Sequence, residues 1–140
     1  MNSTAVQPHE FPQPDPNEAG RPFWEALRGG ALTFQRCKAC NKGWLPARSH
    51  CPNCLSDDWS RENANGRARL VSWVVYRIAY HPAFAERLPY IVAVVELEEG
   101  PRMISNIVQA QPESLQMDMA LRLVIESEGE VSVPRFVPVR

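Results

Sequence analysis

Four cysteines stand in two tight pairs, Cys37-Lys38-Ala39-Cys40 and Cys51-Pro52-Asn53-Cys54, with ten residues between the pairs. Two residues between the members of a pair let both thiolates grip one ion from a single turn. Two such knuckles facing each other complete a tetrahedron. No cysteine is left over, so four protein ligands close the site and leave no position for a bound water or substrate. That is the arrangement of structural rather than catalytic zinc, and one ion held this way contributes on the order of 10 kcal/mol to folding. Two other readings share the residues. A single iron in a rubredoxin-like electron carrier takes the same four thiolates and would colour the protein. Two disulfides would need an oxidising compartment.

Committing the four cysteines to a metal removes every thiol nucleophile. The chain has no G-x-S-x-G elbow, no phosphate-binding glycine loop and no H-E-x-x-H pair. Of the three histidines, His9 lies near the N-terminus and His50 abuts Cys51, where a fifth ligand is redundant. His81 precedes Pro82 in a loop, where it can line a pocket or meet a partner. Glu98 and Glu99 read as a solvated turn tip without a histidine to make an acid–base pair. The formal charge is −1, and four thiolates with one divalent ion move it to about −3. That balance lacks the basic excess of a general nucleic-acid binder. Locally, Arg21, Arg28, Arg36, Lys38, Lys42 and Arg48 face only Glu25 in the same stretch. Lys42 and Arg48 are the candidates in it for contacts to phosphates or to an acidic partner.

The elements that must position these groups follow from the pattern. Residues 1–20 carry prolines at 8, 12, 14 and 16 and few large apolar side chains, which predicts a flexible, polyproline-like tail. Residues 21–33 open with Pro22 and close on Gly29-Gly30, the punctuation of a short helix. Phe23, Trp24 and Leu27 share one face of it, a face to be packed on its own domain or docked on a partner. Residues 34–62 hold the cysteines and little continuous apolar pattern, so a metal must staple them. Residues 63–140 turn β-rich, with strands over 67–77, 90–97, 102–108 and 121–125 and a final extended segment over 131–139. Pro134 and Pro138 place that last segment at a sheet edge, and 112–116 form one helical turn. Five strands in so short a stretch suggest a small closed barrel, for which the OB-fold is the five-stranded solution. The fold class is thus mainly β, with a short N-terminal helix and a zinc ribbon ahead of the barrel. No apolar run approaches a membrane span, and the N-terminus has no secretory pattern, which points to the cytoplasm.

The string from Pro22-Phe23-Trp24 through Cys37-x-x-Cys40, Leu45-Pro46-Ala47-Arg48 and Cys51-Pro52-x-Cys54 resembles the zinc-ribbon plus OB-fold family long catalogued as domain of unknown function thirty-five, often called acyl-CoA-associated. The likeness continues in Gly66, in the stretch from Pro89-Tyr90 to Glu99-Gly100 and in Val133-Pro134-Arg135-Phe136, and covers residues 21–140. It implies a rubredoxin-like ribbon and a C-terminal OB-fold. It further implies a small subunit without catalytic residues that stabilises a thiolase-like enzyme or an acyl-CoA hydratase or aldolase, with CoA as a proposed ligand. There are departures. Asn41 and Leu55 follow Cys40 and Cys54 where the family has glycine, Ala47 replaces a proline, and Asp118 stands at a turn glycine. Asparagine tolerates a left-handed backbone, whereas leucine does so poorly.

The resulting expectation is an accessory subunit, not an enzyme alone, in a hetero-oligomer with a thiolase-type partner. The helix face of Phe23, Trp24 and Leu27 packs on that partner, and Lys42 and Arg48 meet CoA phosphates. The competing class is a nucleic-acid module in which Trp73, Tyr76 and Tyr80 form stacking platforms.

Overall fold

The computed structural model describes residues 11–140. Of the tail expected over residues 1–20, residues 1–10 lie outside the described residues. Phe11 is not free of the domain. Its ring packs edge-on to Phe84 at 5.2 Å, under the Arg87 guanidinium at 4.0 Å. One aromatic side chain is enough to lay this part of a proline-rich segment against the barrel.

Helix α1 (Arg21–Arg28) has proline in its first turn. It stops where Gly30 takes φ +92°. There the Ala31 N–H donates to the Ala26 carbonyl at 2.9 Å and the Gly30 N–H to that of Leu27 at 3.0 Å. This pair of bonds needs a left-handed residue, which glycine supplies without strain.

Strands β1 (Thr33–Cys37), β2 (Gly43–Trp44) and β3 (Trp59–Asn63) form an antiparallel sheet in the order β2-β1-β3. The sequence hides them because they are two to five residues long and knitted by knuckles rather than by an apolar stripe. Then β4 (Arg67–Tyr76), β5 (Tyr90–Leu97), β6 (Arg102–Ile107), β7 (Ala120–Glu128) and β8 (Val131–Pro138) close a five-stranded barrel in the order β4-β5-β6-β8-β7. All pairs are antiparallel except β6 with β8, which meet in parallel at Ile107 and Phe136. Inside, alternate residues of β5 (Ile91, Ala93, Val95, Leu97) pack with Leu70, Leu121 and Phe136. Two 3₁₀ segments, six residues at Pro82–Arg87 and three at Pro112–Ser114, lie in the connections between strands. The second is the turn expected over 112–116; the first carried no sequence signal that was read.

The last strand is not an edge. β8 pairs with β7 along its length and touches β6 at one register point, so it closes the barrel. Its other flank makes few ladder bonds, which is why Pro134 and Pro138 can occupy it without orphaning a partner.

The helix face is also divided differently from the docking expectation. Leu27 is 1% exposed and lies in the chain's own core with Leu32, while Phe23 and Trp24 are half-buried against that core. α1 packs on β8 and β1, because one buried leucine supplies about 2 kcal/mol that so short a helix needs. Leu27 is therefore unavailable to a partner.

Ribbon and barrel are tied at one corner. Arg36 on β1 hydrogen-bonds Glu62 at 3.2 Å and donates to the backbone carbonyls of Asn41 and Glu99. The Asn65 N–H donates to a Glu99 carboxylate oxygen at 2.6 Å, and its side chain to Glu98 at 3.0 Å. Glu98 is exposed as expected of a turn tip, and Glu99 is half-buried, and both also clamp the junction. No described helix is long and apolar enough to cross a membrane.

Candidate metal centre

The cysteine pairs sit on two facing knuckles, one following β1 and one preceding β3. Backbone N–H groups turn inward at each. Ala39 and Cys40 donate to the Cys37 sulfur at 3.3 and 3.4 Å, and Asn53 and Cys54 to that of Cys51 at 3.4 and 3.5 Å. These bonds stabilise thiolates and fix their direction. Closing each turn requires left-handed backbone just after the second ligand, and Asn41 and Leu55 adopt it at φ +68° and +67°. The departures from glycine therefore sit where strain is predicted, and they leave the ligand geometry intact. Asp118 likewise takes φ +65°.

Across the knuckles, Cys37 and Cys54 sulfurs are 3.5 Å apart and those of Cys40 and Cys51 3.6 Å, with all four within 4.8 Å of one another. A zinc ion about 2.3 Å from each sulfur of a tetrahedron separates them by roughly 3.8 Å, so the donor set fits one ion. The same separations exclude disulfides, whose sulfurs bond at about 2 Å. Cys37 and Cys51 are buried and Cys40 and Cys54 lie toward solvent.

Within the cluster the thiols are pulled in opposite directions. Asn53 Nδ2 donates across the knuckles to Cys40 Sγ at 3.5 Å. That bond, with a backbone N–H from Lys42, draws the Cys40 thiol down to about 6 against its burial. The backbone N–H of Cys40 lowers Cys37 in the same way. At Cys54 the Ser56 N–H also pulls downward, but the bond with Cys37, burial and the other thiols outweigh it and push the thiol up to about 12. A divalent ion that replaces the shared protons resolves this conflict, and its binding releases them.

Around the site, the buried Gln35 side chain acts as an extra strand. It donates to the Arg48 carbonyl at 2.7 Å and accepts from the Arg48 N–H at 2.8 Å, holding the loop that leads to Cys51. Trp59 Nε1 donates to the Ser49 carbonyl at 2.9 Å, and its ring meets Trp44 edge-on. Asn53 and Gln35 were missed in the sequence. An amide two residues into a knuckle could have been suspected for Asn53, but nothing marks Gln35.

The basic stretch is thinner than its count. Arg36 is paired with Glu62, and Lys38 faces Asp58 at 3.9 Å. Lys42 and Arg48 are exposed and form no ion pair among the described residues. Of the stacking candidates, Trp73 packs on the barrel core and Tyr76 on Tyr80 and Tyr90, leaving Tyr80 exposed. His81 Nδ1 accepts from the Ala83 N–H at 3.1 Å and caps a turn. A groove of about 560 Å³ runs between α1, the loop after β2 and the barrel, with Phe23, Trp24, Leu45, Tyr90, Met103 and Ile104 in its walls.

Residues 24–60 match the ChsH2 rubredoxin-like zinc ribbon domain, and residues 62–126 match the ChsH2 C-terminal OB-fold domain. A DUF35 domain-containing scaffold protein of Methanothermobacter thermautotrophicus is 34% identical over 106 residues, 73% of this chain and 79% of that protein. The chain belongs to the DUF35 family. A "Probable enoyl-CoA hydratase alpha subunit" of Thermomonospora curvata is 36% identical over 128 residues, 91% of this DUF35 chain. The chain spans only 40% of that relative's length. In a solved structure described as "Ltp2-ChsH2(DUF35) aldolase", one chain superposes with a TM-score of 0.81 at 34% identity, covering 90% of this chain and 98% of that one. The four cysteines are the metal ligands of the ribbon domain, placed to bind one ion.

Proposed function

We propose that this DUF35 chain is a non-catalytic accessory subunit of an acyl-CoA hydratase or aldolase complex, with a thiolase-type fold as the narrower reading of its partner. The observation that carries this is the commitment of all four cysteines to a metal, in a chain that superposes on nearly the whole of a chain from an aldolase complex. A closed thiolate site brings no nucleophile and no open coordination position, so the chain's contribution is to brace. The half-buried Phe23 and Trp24, with Ile104 on the exposed rim of the same groove, provide the contact face. Lys42 and Arg48, exposed and without an ion pair among the described residues, are the contacts available to CoA phosphates.

The test is co-expression of the zinc-loaded chain with candidate acyl-CoA hydratases and aldolases of the same organism. A stoichiometric complex whose acyl-CoA turnover falls at least tenfold without this chain supports the reading. Ile104→Asp on the rim should weaken the complex while leaving the chain folded. Lys42→Glu with Arg48→Glu should raise KM for the acyl-CoA and spare assembly. A chain that stays monomeric beside its candidate partner defeats the proposal.

A further inference from the structure

On the outside of the barrel Arg67 of β4 and Arg122 of β7 are register partners. The Leu123 N–H donates to the Gly66 carbonyl at 2.7 Å, which makes them a non-hydrogen-bonded pair, the antiparallel geometry that brings opposing side chains closest. Both are exposed, and neither forms an ion pair among the described residues. Like charges set directly opposite in a sheet repel.

The nearby carboxylates do not relieve this. Glu96 is held by Arg69 at 2.8 Å and Arg102 at 3.0 Å. Asp118 is held by Arg69. Glu98, which follows β5 on the far side of Arg67, turns to Asn65 instead. An open concavity of about 590 Å³, with Arg69, Glu96, Glu98 and Ala120 in its walls, lies beside the Arg67 and Arg122 side chains.

We propose that Arg67 and Arg122 form an anion site that chelates a phosphate group between them. Two planar forks converging on one dianion give the paired, charge-assisted hydrogen bonds that arginine makes with phosphate, and the bound charge converts their repulsion into attraction. The site lies on the barrel wall formed by β4 and β7, apart from the ribbon and from Lys42 and Arg48, and does not depend on the identity of any partner.

The zinc-loaded full chain, titrated with inorganic phosphate and followed by NMR of the arginine Nε–H groups, should show saturable shifts at two arginines. Arg122→Gln and Arg67→Gln should each weaken the affinity about tenfold. Because it removes the repulsion, Arg122→Gln should also raise Tm in phosphate-free, low-salt buffer. Adenosine 3′-phosphate run in parallel separates the sources. Tighter binding than inorganic phosphate assigns the group to a nucleotide-bearing ligand, and the reverse assigns it to free phosphate; either supports the site. Shifts that sodium chloride reproduces at matched ionic strength, or that survive unchanged in Arg122→Gln, overturn it.

Discussion

Leu55 follows the last metal ligand with φ +67° and leaves 74% of its surface in solvent. A left-handed backbone costs an L-residue roughly 1–2 kcal/mol, and the side chain recovers little by burial. Glycine removes the strain but loses more entropy on folding, so Leu55→Gly should stabilise the zinc-loaded protein by about 0.5–1 kcal/mol. Thermal denaturation in the presence of zinc should show Tm rising by a few degrees. Asn41→Gly, at φ +68°, should change little, because asparagine already tolerates this conformation. A fall in Tm for Leu55→Gly would mean that the leucine side chain holds the second knuckle in place.

Between elements, the ribbon comes close to the turn between β5 and β6 at Gly43. A Cβ on Gly43 would lie 3.0 Å from Pro101 Cγ and 3.3 Å from Phe34 Cε2, so both rings would have to give way. Gly43→Ala should therefore cost about 1–3 kcal/mol, read as a lower urea midpoint. At the other end of the barrel, Glu128 joins the 3₁₀ turn to the β7–β8 hairpin, accepting from Arg87 at 2.5 and 2.9 Å and from Arg135 at 2.6 Å. Arg87 foremost, then Arg135, hold its carboxyl below the ordinary value of 4.5 against burial. A carboxylate lowered on folding stabilises fully above its unfolded pKa and loses that contribution as pH falls through the folded one. Glu128→Gln should cost about 3 kcal/mol at pH 7, and its gap from wild type should narrow once the pH drops below 4.5. Urea unfolding across that range checks it. A gap independent of pH would remove the ion pair as the cause.

Among the described residues the apolar side chains form two separate clusters. The large one fills the barrel and takes in Leu27 and Leu32; the small one has Cys37, Trp44 and Cys51 with Trp59 beside them. Two of the three buried members of the small cluster are metal ligands, so its order depends on the ion. Zinc removal by a chelator should unfold the ribbon while the barrel persists. The fluorescence of Trp44 and Trp59 should shift to the red, and amides of β1 and β3 should lose hydrogen-exchange protection while those of β5 keep theirs. Simultaneous loss at β5 would show that the junction through Arg36, Asn65 and Glu99 couples the two units into one cooperative fold.

Local chemistry was enough to read much of this from the chain alone. The cysteine spacing named the metal site, because two residues between ligands fix a knuckle wherever it occurs. The barrel strands were legible through their β-branched and aromatic runs, as in Tyr90–Leu97, and the helix stop through Gly29-Gly30. The left-handed positions at Asn41, Leu55 and Asp118 were also anticipated. What tertiary structure alone decided depends on which distant residues meet. It turned Leu27 inward, made β8 a closing strand rather than an edge, and drew Glu98 and Glu99 into the junction. It also set Asn53 on Cys40, Gln35 on Arg48, and Arg67 opposite Arg122. Hydrogen bonds and charges act over a few ångströms in space, and the paired residues among these lie between 13 and 63 positions apart in the chain, so no local pattern records them.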